Sequence, residues 1–194
     1  MLTNKQLRML NLLDEQISNC KFCNLHVNGR CNPYWTEKYN GWFICGEAPG
    51  KEEILNNEPF IGTAGNKLWE CMSLFKIFKE ECFIINSANC RPVDGNKNGK
   101  PTELQRDRCR EWLRKYFKVL QPNKILLLGN YAMHTFIGEW GIMSKYENNN
   151  LLTNKNIFGI NVNVVKSVHP SMCIYQGEKG KEKLIKSIEL FYEV

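Results

Sequence analysis

Four side chains of types that bind and activate small polar ligands follow short apolar segments of the sequence. Glu47 and Phe60 lie in one turn-rich stretch that begins directly after the apolar run at 42–45. Asn86 ends a second apolar run, and His169 follows a third within the sequence His-Pro-Ser. A carboxylate and an imidazole can hold water or a developing charge, an amide can pair with the edge of a base, and an aromatic ring can stack on a planar ligand. These residue types predict a site for a flat, polar molecule.

Each of these side chains also has an ordinary structural explanation. By default Phe60 would pack in the core, Asn86 would cap a turn, and a lone histidine would be a hydrogen-bonded structural residue. Asn89 is a second candidate for the ligand-binding amide. The functional interpretation depends on convergence, because the carboxyl ends of parallel strands meet at one edge of a sheet and would bring Glu47, Asn86 and His169 together.

Apolar runs of strand length alternate with amphipathic helical patterns along the chain. Strands are predicted at 42–45, 82–86, 124–128 and 162–165, and helices at 7–17, 64–78, 102–120, 131–137 and 179–192. This alternation predicts an α/β fold, a three-layer α/β/α arrangement with a central four-stranded, mainly parallel sheet, in a single domain spanning residues 1–194. The polar stretches at 95–100 and 147–156 are interpreted as loops.

Composition limits the partners and the cellular compartment that are compatible with the sequence. The 194 residues carry a formal net charge of +6, which favours an anionic partner such as nucleic acid. The nine cysteines are an odd number, and the first 17 residues carry charges rather than a secretory leader, so we expect a reduced, intracellular, cytoplasmic protein. No apolar run approaches the roughly 20 residues of a membrane-spanning helix, so no membrane partner is expected.

Cys20 and Cys23 form a C-x2-C pair, a spacing at which two thiolates can bind one metal centre. Redox or core cysteines are the alternative interpretation of this pair. Spacing alone does not select its partners, which have to come from Cys31, Cys45, Cys71, Cys82, Cys90, Cys109 and Cys173. Cys90 and Cys109 can close a four-sulfur site, and Cys31 is their main competitor because it lies in a loop eight residues after Cys23.

Four motifs in this order resemble those of the family 4 uracil-DNA glycosylases, the iron–sulfur branch of their superfamily. They are Gly-Glu-Ala-Pro-Gly at 46–50, Pro-Phe-Ile-Gly-Thr-Ala-Gly at 59–65, Asn86 four residues before Cys-Arg-Pro at 90–92, and His-Pro-Ser at 169–171. The resemblance extends from residue 20 to residue 171. It implies a repair enzyme, expected to act as a monomer, that flips deoxyuridine out of uracil-containing DNA and hydrolyses the N-glycosidic bond. The products would be free uracil and an abasic site.

The resemblance also implies roles for individual residues. The ring of Phe60 would stack on the flipped uracil, and the amide of Asn86 would pair with uracil N3–H and O4. His169 and the backbone N–H at Ala48 would hydrogen-bond uracil O2. Glu47 would stabilise the sugar cation or hold the attacking water, which makes Glu47 and His169 the expected catalytic residues.

Two further assignments follow from the same resemblance. Glu53 is expected to wall off the C5 position of the pyrimidine against thymine. Family members bind a [4Fe-4S] cluster through a C-x2-C pair, the cysteine of Cys-Arg-Pro and a cysteine on the following helix, which here selects Cys20, Cys23, Cys90 and Cys109. Zinc is the alternative occupant of that site.

The chain also departs from the family pattern. Ala48 stands where the best-known glycosylases of the superfamily have an aspartate, the loop at 95–100 is longer than the family's, and residues 172–175 do not identify the DNA wedge. The basic residues near the motifs are expected to contact DNA phosphates: Arg91, Lys97, Lys100 and Lys166.

The alternative functions are a non-catalytic DNA-binding protein of the same fold, and a nucleotide-binding α/β protein. The latter would need a Walker lysine motif or G-x-G-x-x-G, and the sequence has neither.

Overall fold

The computed structural model describes residues 2–138 and 150–194. Seven strands lie in these ranges: β1 (Trp42–Gly46), β2 (Cys82–Asn86), β3 (Val93–Asp94), β4 (Lys97–Asn98), β5 (Lys124–Leu128), β6 (Leu151–Ile157) and β7 (Ile160–Ser167). Five of them form the central sheet in the order β2–β1–β5–β7–β6, and β3 pairs with β4 in a separate hairpin. Strands β2, β1, β5 and β7 are parallel, and β6 is antiparallel to β7.

Helices connect and cover these strands. The α-helices in the described part of the chain are α1 (Asn4–Ser18), α2 (Lys51–Asn56), α3 (Thr63–Ser73), α4 (Glu103–Leu120), α5 (Asn130–Ile137), α6 (Met172–Gln176) and α7 (Glu178–Glu193). Short 3-10 helices lie at Asn24–Asn28 and Lys79–Glu81. None of the helices within 2–138 and 150–194 is long and apolar enough to span a membrane.

Successive residues of the central strands point to opposite faces of the sheet, and each face has its own apolar core. In β1, Phe43 packs in the core that includes residues of α1, α4 and α5, while Ile44 packs in the core that includes residues of α3 and α7. The same alternation holds in β2 and β5. Because both faces of the sheet are apolar and carry helices, the predicted α/β/α class is confirmed.

The predicted number of strands is wrong, because the central sheet has five strands rather than four. The additional strand is β6, which begins at Leu151 within the Asn-rich stretch at 147–156 that was predicted to be a loop. Residues 147–149 of that stretch lie outside the described residues. The middle of this edge strand is exposed, so no apolar alternation marks it in the sequence. Phe158 and Gly159 join it to β7 with φ angles of 52° and 89°, which suit the two-residue turn of a hairpin.

Other bounds differ from the predictions by less. Helix α3 ends at Ser73 rather than at 78, and the hairpin of β3 and β4 overlaps the stretch at 95–100 that was predicted to be a loop. Helix α4 begins as predicted, with a reciprocal cap. Its Thr102 hydroxyl accepts from the Gln105 backbone N–H at 3.3 Å, and the Gln105 side-chain oxygen accepts from the Thr102 N–H at 2.8 Å.

The carboxyl ends of β1, β2, β5 and β7 meet at one edge of the sheet because these strands are parallel. Gly46 of β1 pairs with Asn86 of β2, and Leu128 of β5 pairs with Ser167 of β7. The segments that leave these four strands therefore start side by side. An edge of this kind is where α/β sheets bind ligands.

Candidate active site and cysteine cavity

A cleft of about 790 Å³ lies at this edge of the sheet. It is lined by the segments that follow β1, β2, β5 and β7, together with the hairpin of β3 and β4. All six residues for which the sequence predicts contact with substrate line it: Glu47, Ala48, Glu53, Phe60, Asn86 and His169. The convergence expected from a parallel sheet therefore occurs, whereas Asn89, the second candidate for the ligand-binding amide, does not line the cleft.

The ring of Phe60 and the amide of Asn86 are neighbours on either side of Gly46. A β-carbon built on Gly46 would lie 2.5 Å from Asn86 Oδ1 and 2.5 Å from Phe60 Cζ. Both distances are far below van der Waals contact, so only glycine fits at this position. A flat ring surface and a polar amide edge thus meet at the end of β1, as recognition of a planar, polar molecule requires.

The backbone of Phe60 is held in an unusual conformation. Its φ angle is +57°, a left-handed value that costs a non-glycine residue about 1 kcal/mol or more. The carbonyl oxygen of Phe60 accepts a hydrogen bond from Trp69 Nε1 at 3.0 Å, and a β-carbon on Gly65 would lie 2.0 Å from that oxygen. The first turn of α3 therefore packs directly against the backbone of Phe60 and fixes the position of its ring.

Glu53 joins the two glycine-rich segments that border the cleft. One carboxylate oxygen accepts from the Gly50 N–H at 3.0 Å, and the other accepts from the Gly62 N–H at 2.8 Å. Gly50 precedes the first turn of α2 and Gly62 precedes that of α3, where a negative charge is favourable. These bonds give Glu53 a positioning role, and its predicted contact with the pyrimidine C5 position stays a prediction.

His169 is neutral, and its hydrogen bonds select one tautomer. The Ser171 backbone N–H lies 3.3 Å from His169 Nδ1, and the Ser171 hydroxyl lies 2.9 Å from the same nitrogen. A backbone N–H can only donate, so Nδ1 accepts and the ring proton is on Nε2. Burial lowers the pKa of His169 to about 4, because the surroundings disfavour the charged imidazolium. The ring can therefore donate one hydrogen bond from Nε2 at neutral pH.

Glu47 has an environment that favours its protonated form. Burial raises the pKa of Glu47, and the positive charges of Lys100 and Arg106 oppose that rise in part. Arg106 is 3 % exposed, donates to the Pro101 carbonyl oxygen at 2.7 Å and lies 4.7 Å from the ring centre of Tyr131. Sequence reasoning did not select Arg106 or Tyr131 for this site. Only the capping box of α4 hinted at Arg106, since it places that residue in the first turn of the helix.

The four basic residues near the motifs have different surroundings. Lys97 and Lys100 are exposed on or beside the hairpin, and Lys100 lines the cleft. Arg91 donates to Asn98 Oδ1 at 2.7 Å and so braces the hairpin. Lys166 lies within β7 and is 4 % exposed, so its predicted contact with phosphate is wrong. Residues 164–167 of this strand are all buried, so the strand's position within the sheet overrides the charge of that side chain.

A second, small cavity lies beside the cleft and is lined by four cysteines: Cys20, Cys23, Cys90 and Cys109. This is the set that the family resemblance selects, and we call it the cysteine cavity. Cys31, their main competitor, is buried but does not line this cavity, and its thiol lies 3.5 Å from the Asn32 carbonyl oxygen. None of the nine cysteines forms a disulfide.

Polar hydrogens are directed at the thiols of the cysteine cavity. Trp112 Nε1 donates to Cys20 Sγ at 3.3 Å, and a backbone hydrogen bond from Asn89 stabilises the Cys109 thiolate. Burial, together with the smaller effect of the charges of the other three thiolates, raises the pKa of Cys109 to about 12. A cationic centre would remove that penalty. Four thiols with N–H donors directed at them are a donor set that fits an iron–sulfur cluster.

Zinc is the alternative occupant of the cysteine cavity. Zinc would draw four sulfurs to about 2.3 Å from one point. In residues 2–138 and 150–194, no three His, Cys, Asp or Glu side chains surround a point at which one metal ion can bind.

Comparison with known proteins gives consistent matches over most of the chain. The model of the uracil DNA glycosylase superfamily matches residues 36–191. A type-4 uracil-DNA glycosylase of Archaeoglobus fulgidus is 30 % identical over 177 residues, which cover 86 % of this chain and 84 % of that protein. Those of Pyrobaculum aerophilum and Thermotoga maritima are 35 % and 32 % identical over 121 and 131 residues. These alignments cover 62 % and 66 % of this chain, and 60 % and 66 % of the respective relatives.

Proposed function

The chain belongs to the uracil DNA glycosylase superfamily, and on that premise we propose that it excises uracil from DNA by hydrolysing the N-glycosidic bond. The family resemblance inferred from the four motifs is thereby confirmed. In the reaction, the oxygen of water bonds to C1′ of deoxyribose, the C1′–N1 bond breaks, its electron pair leaves with uracil, and the proton that the water loses neutralises the uracil anion. The products are free uracil and an abasic site.

One observation carries the assignment of this chemistry to the cleft. A carboxylate, an aromatic ring, an amide and an imidazole come from four distant stretches of the chain and line the same space: Glu47, Phe60, Asn86 and His169. A base inside a duplex cannot reach such a space, so deoxyuridine would have to rotate out of the stack at a cost of a few kcal/mol. Stacking on Phe60 and pairing with Asn86 would offset that cost.

Pairing with Asn86 would select uracil over cytosine. Its side-chain oxygen can accept from uracil N3–H, and its amide nitrogen can donate to uracil O4. Cytosine has an acceptor at N3 and a donor at N4, so both of its groups would face a like group of the amide. Asn86 is 4 % exposed, and unpaired polar groups at such a buried site cost about 1–3 kcal/mol each. That penalty, rather than shape, would exclude cytosine.

His169 would stabilise the departing base. As the glycosidic bond breaks, negative charge spreads over uracil, including O2. A neutral imidazole that accepts at Nδ1 from Ser171 offers its Nε2 proton to such an oxygen. This donor is fixed before the reaction starts, and donors of that kind typically contribute a factor of about 10²–10³ to the rate.

Glu47 and Ala48 would complete the site. We assign to the Glu47 carboxylate the stabilisation of the sugar cation or the positioning of the attacking water, and to the backbone N–H at Ala48 a second bond to O2. Ala48 has no acidic side chain, so Glu47 is the carboxylate left at this turn for either role. The Glu47 carbonyl accepts from the Ala88 N–H at 3.0 Å, which supports a fixed position for the turn.

Glu53 would act mainly through the segments that it joins. Its bonds to Gly50 and Gly62 hold the loop of Glu47 against the loop of Phe60. Because Glu53 lines the cleft, a contact with a C5 methyl group remains part of the proposal. Loss of the carboxylate would then affect both uracil turnover and discrimination against thymine.

The cysteine cavity would hold a [4Fe-4S] cluster, with zinc as the alternative. When bound, that group supplies a cross-link between the segment after α1, the loop after β2 and helix α4, and it supplies no chemistry on the base. Cys20, Cys23, Cys90 and Cys109 would be its ligands. Trp112 and the backbone of Asn89 would donate hydrogen bonds to the ligand sulfurs.

DNA would lie across the mouth of the cleft. The hairpin carries the exposed Lys97, and Lys100 follows it, so both can meet phosphates. Ile174 and Tyr175 of α6 also line the cleft, with 48 % and 81 % of their surfaces exposed. Apolar side chains in such a position can fill the gap that a flipped base leaves in the stack.

We further propose that the protein works inside the cell, in the cytoplasm, as a monomer and a single domain.

The direct test uses purified protein and a DNA oligomer with one uracil. We expect an alkali-labile break at that position and free uracil in solution, with no break in matched oligomers that carry cytosine or thymine. The variant Asn86→Ala should bind the same oligomer and release no measurable uracil in the same time. Bound but unbroken DNA with the wild-type protein would contradict the proposal and favour a non-catalytic DNA-binding protein.

A further inference from the structure

Asn89 lies between the cleft and the cysteine cavity, in the loop that leads from Asn86 to Cys90. It is 2 % exposed. Its backbone carbonyl accepts from the Cys31 N–H at 2.9 Å, and its backbone also forms a hydrogen bond to Cys109. Its side-chain oxygen accepts from the Asn86 N–H at 3.4 Å. The loop geometry therefore holds this side chain in one place.

The remaining polar group of Asn89 has no partner in the described part of the chain. This group is the side-chain nitrogen Nδ2, which is fully buried. An unpaired buried amide costs about 1–3 kcal/mol, and folded proteins rarely leave one unsatisfied. Asn89 is the one asparagine among the residues that line the cysteine cavity. The missing acceptor is therefore expected in that cavity, where four sulfurs converge.

We infer that Asn89 is a positioning residue for the metal group, whose Nδ2 donates an N–H···S hydrogen bond to a sulfur of the [4Fe-4S] cluster. This inference rests on the cluster assigned under the proposed function. Hydrogen bonds to cluster sulfurs stabilise the reduced form and raise the reduction potential. Because Oδ1 of the same amide accepts from Asn86, one side chain joins the metal group to the residue that pairs with uracil.

The test measures the reduction potential of the cluster in the full-length protein by voltammetry or by titration monitored with electron paramagnetic resonance. Asn89→Leu removes the donor at nearly constant volume. We expect the cluster of this variant to be more difficult to reduce than that of the wild type. The equilibrium constant for its reduction should fall about tenfold, which is 59 mV for one electron. Trp112→Phe removes the bond to Cys20 and should act in the same direction. Asn32→Leu is the matched control, since Asn32 does not line the cavity, and its potential should equal that of the wild type.

A second measurement needs no variant and so does not depend on folding of Asn89→Leu. Wild-type protein labelled with ¹⁵N only at the asparagine side-chain amide should show a nitrogen coupling to the reduced cluster in pulsed electron paramagnetic resonance. The absence of this coupling, or an unchanged potential in Asn89→Leu, would overturn the inference even if uracil release falls. A wild-type protein that purifies with zinc or without visible absorbance would instead refute the cluster itself and leave excision to be judged by its own assay.

Discussion

The cleft and the cysteine cavity share the short loop at 86–90 but are organised in opposite ways. The cleft is open and directs polar side chains inward, among them Asn86 and His169. The cysteine cavity is small and is lined mostly by thiols and aromatic rings, and three of its cysteines, Cys23, Cys90 and Cys109, pack with Ala88 and Ala48 in a separate apolar cluster. The cavity therefore holds the end of the loop at Asn89 and Cys90, and the cleft uses its start at Asn86 for recognition.

This difference indicates which properties each region should control. The cavity joins segments that are far apart in sequence, so loss of the metal group there should first lower the stability of the fold. Side chains of the cleft already have fixed positions through backbone contacts, such as those of Phe60 with Trp69 and Gly65. Loss of one functional group there should change the rate with little change in stability. Five changes test this separation.

The largest effect is expected from Cys109→Ala. Loss of one ligand should release the metal group and lower the free energy of unfolding by about 4 kcal/mol, or the melting temperature by roughly 8–16 °C. Thermal unfolding and visible absorbance measure both effects. Cys31→Ala is the control, because Cys31 is buried outside the cavity and should keep the absorbance. Loss of the absorbance in Cys31→Ala, with its retention in Cys109→Ala, would instead identify Cys31 as the metal ligand.

Asn86→Ala should have the largest effect among the cleft variants. Removing the pairing amide leaves uracil without its directional contacts, so kcat/KM should fall about 10³-fold. The melting temperature should stay within a few degrees of the wild type, because strand β2 and its packing are retained. Wild-type excision rates in this variant would refute the assignment of the amide to uracil recognition.

Gly46→Ala removes no functional group and tests the geometry alone. The added methyl group would lie 2.5 Å from both Asn86 Oδ1 and Phe60 Cζ, so the amide and the ring must move apart. A displacement of this size should reduce kcat/KM about 10²-fold. Single-turnover kinetics with excess protein measure it. Unchanged turnover would show that the ring and the amide do not bind the same base.

Glu47→Gln should lower the rate about 10²-fold at neutral pH and change the pH profile. Burial raises the pKa of Glu47, so in the wild type the active carboxylate is lost as the pH falls through that raised pKa. The pKa of His169 is about 4, so His169 stays neutral above about pH 5 and adds nothing to this decline. In Glu47→Gln the profile should be flat there. If the rate of the variant still declines as the pH falls, a group other than Glu47 causes the decline.

Lys97→Ala should have the smallest effect. Loss of one phosphate contact weakens DNA binding a few-fold and reduces the slope of log K against log salt concentration by about 1. Fluorescence anisotropy at several salt concentrations measures the slope. Lys118→Ala is the control, because Lys118 is exposed near the opposite end of α4 from the cleft. Equal slopes for the two variants would exclude the hairpin from the DNA contact.

Prediction from sequence succeeded where a local pattern and the tertiary environment agree. Strands β2 and β5 occur with the predicted bounds, because both are buried on both faces and read as continuous apolar runs. Strand β6 was missed because it is an exposed edge strand. Lys166 was wrongly predicted to lie at the surface, because charged side chains usually do and this lysine is buried. Arg106 was missed for the same reason.

The sequence by itself determined the family, the order of the motifs and the types of side chain available for chemistry, because these depend on residue identity and spacing along the chain. Only the tertiary structure decided which groups meet. It brought Asn86 to the cleft and Asn89 to the cysteine cavity, and it separated Cys31 from the other thiols of the metal site. Spacing along a chain does not fix distance in space, since strand pairing and burial bring distant residues together.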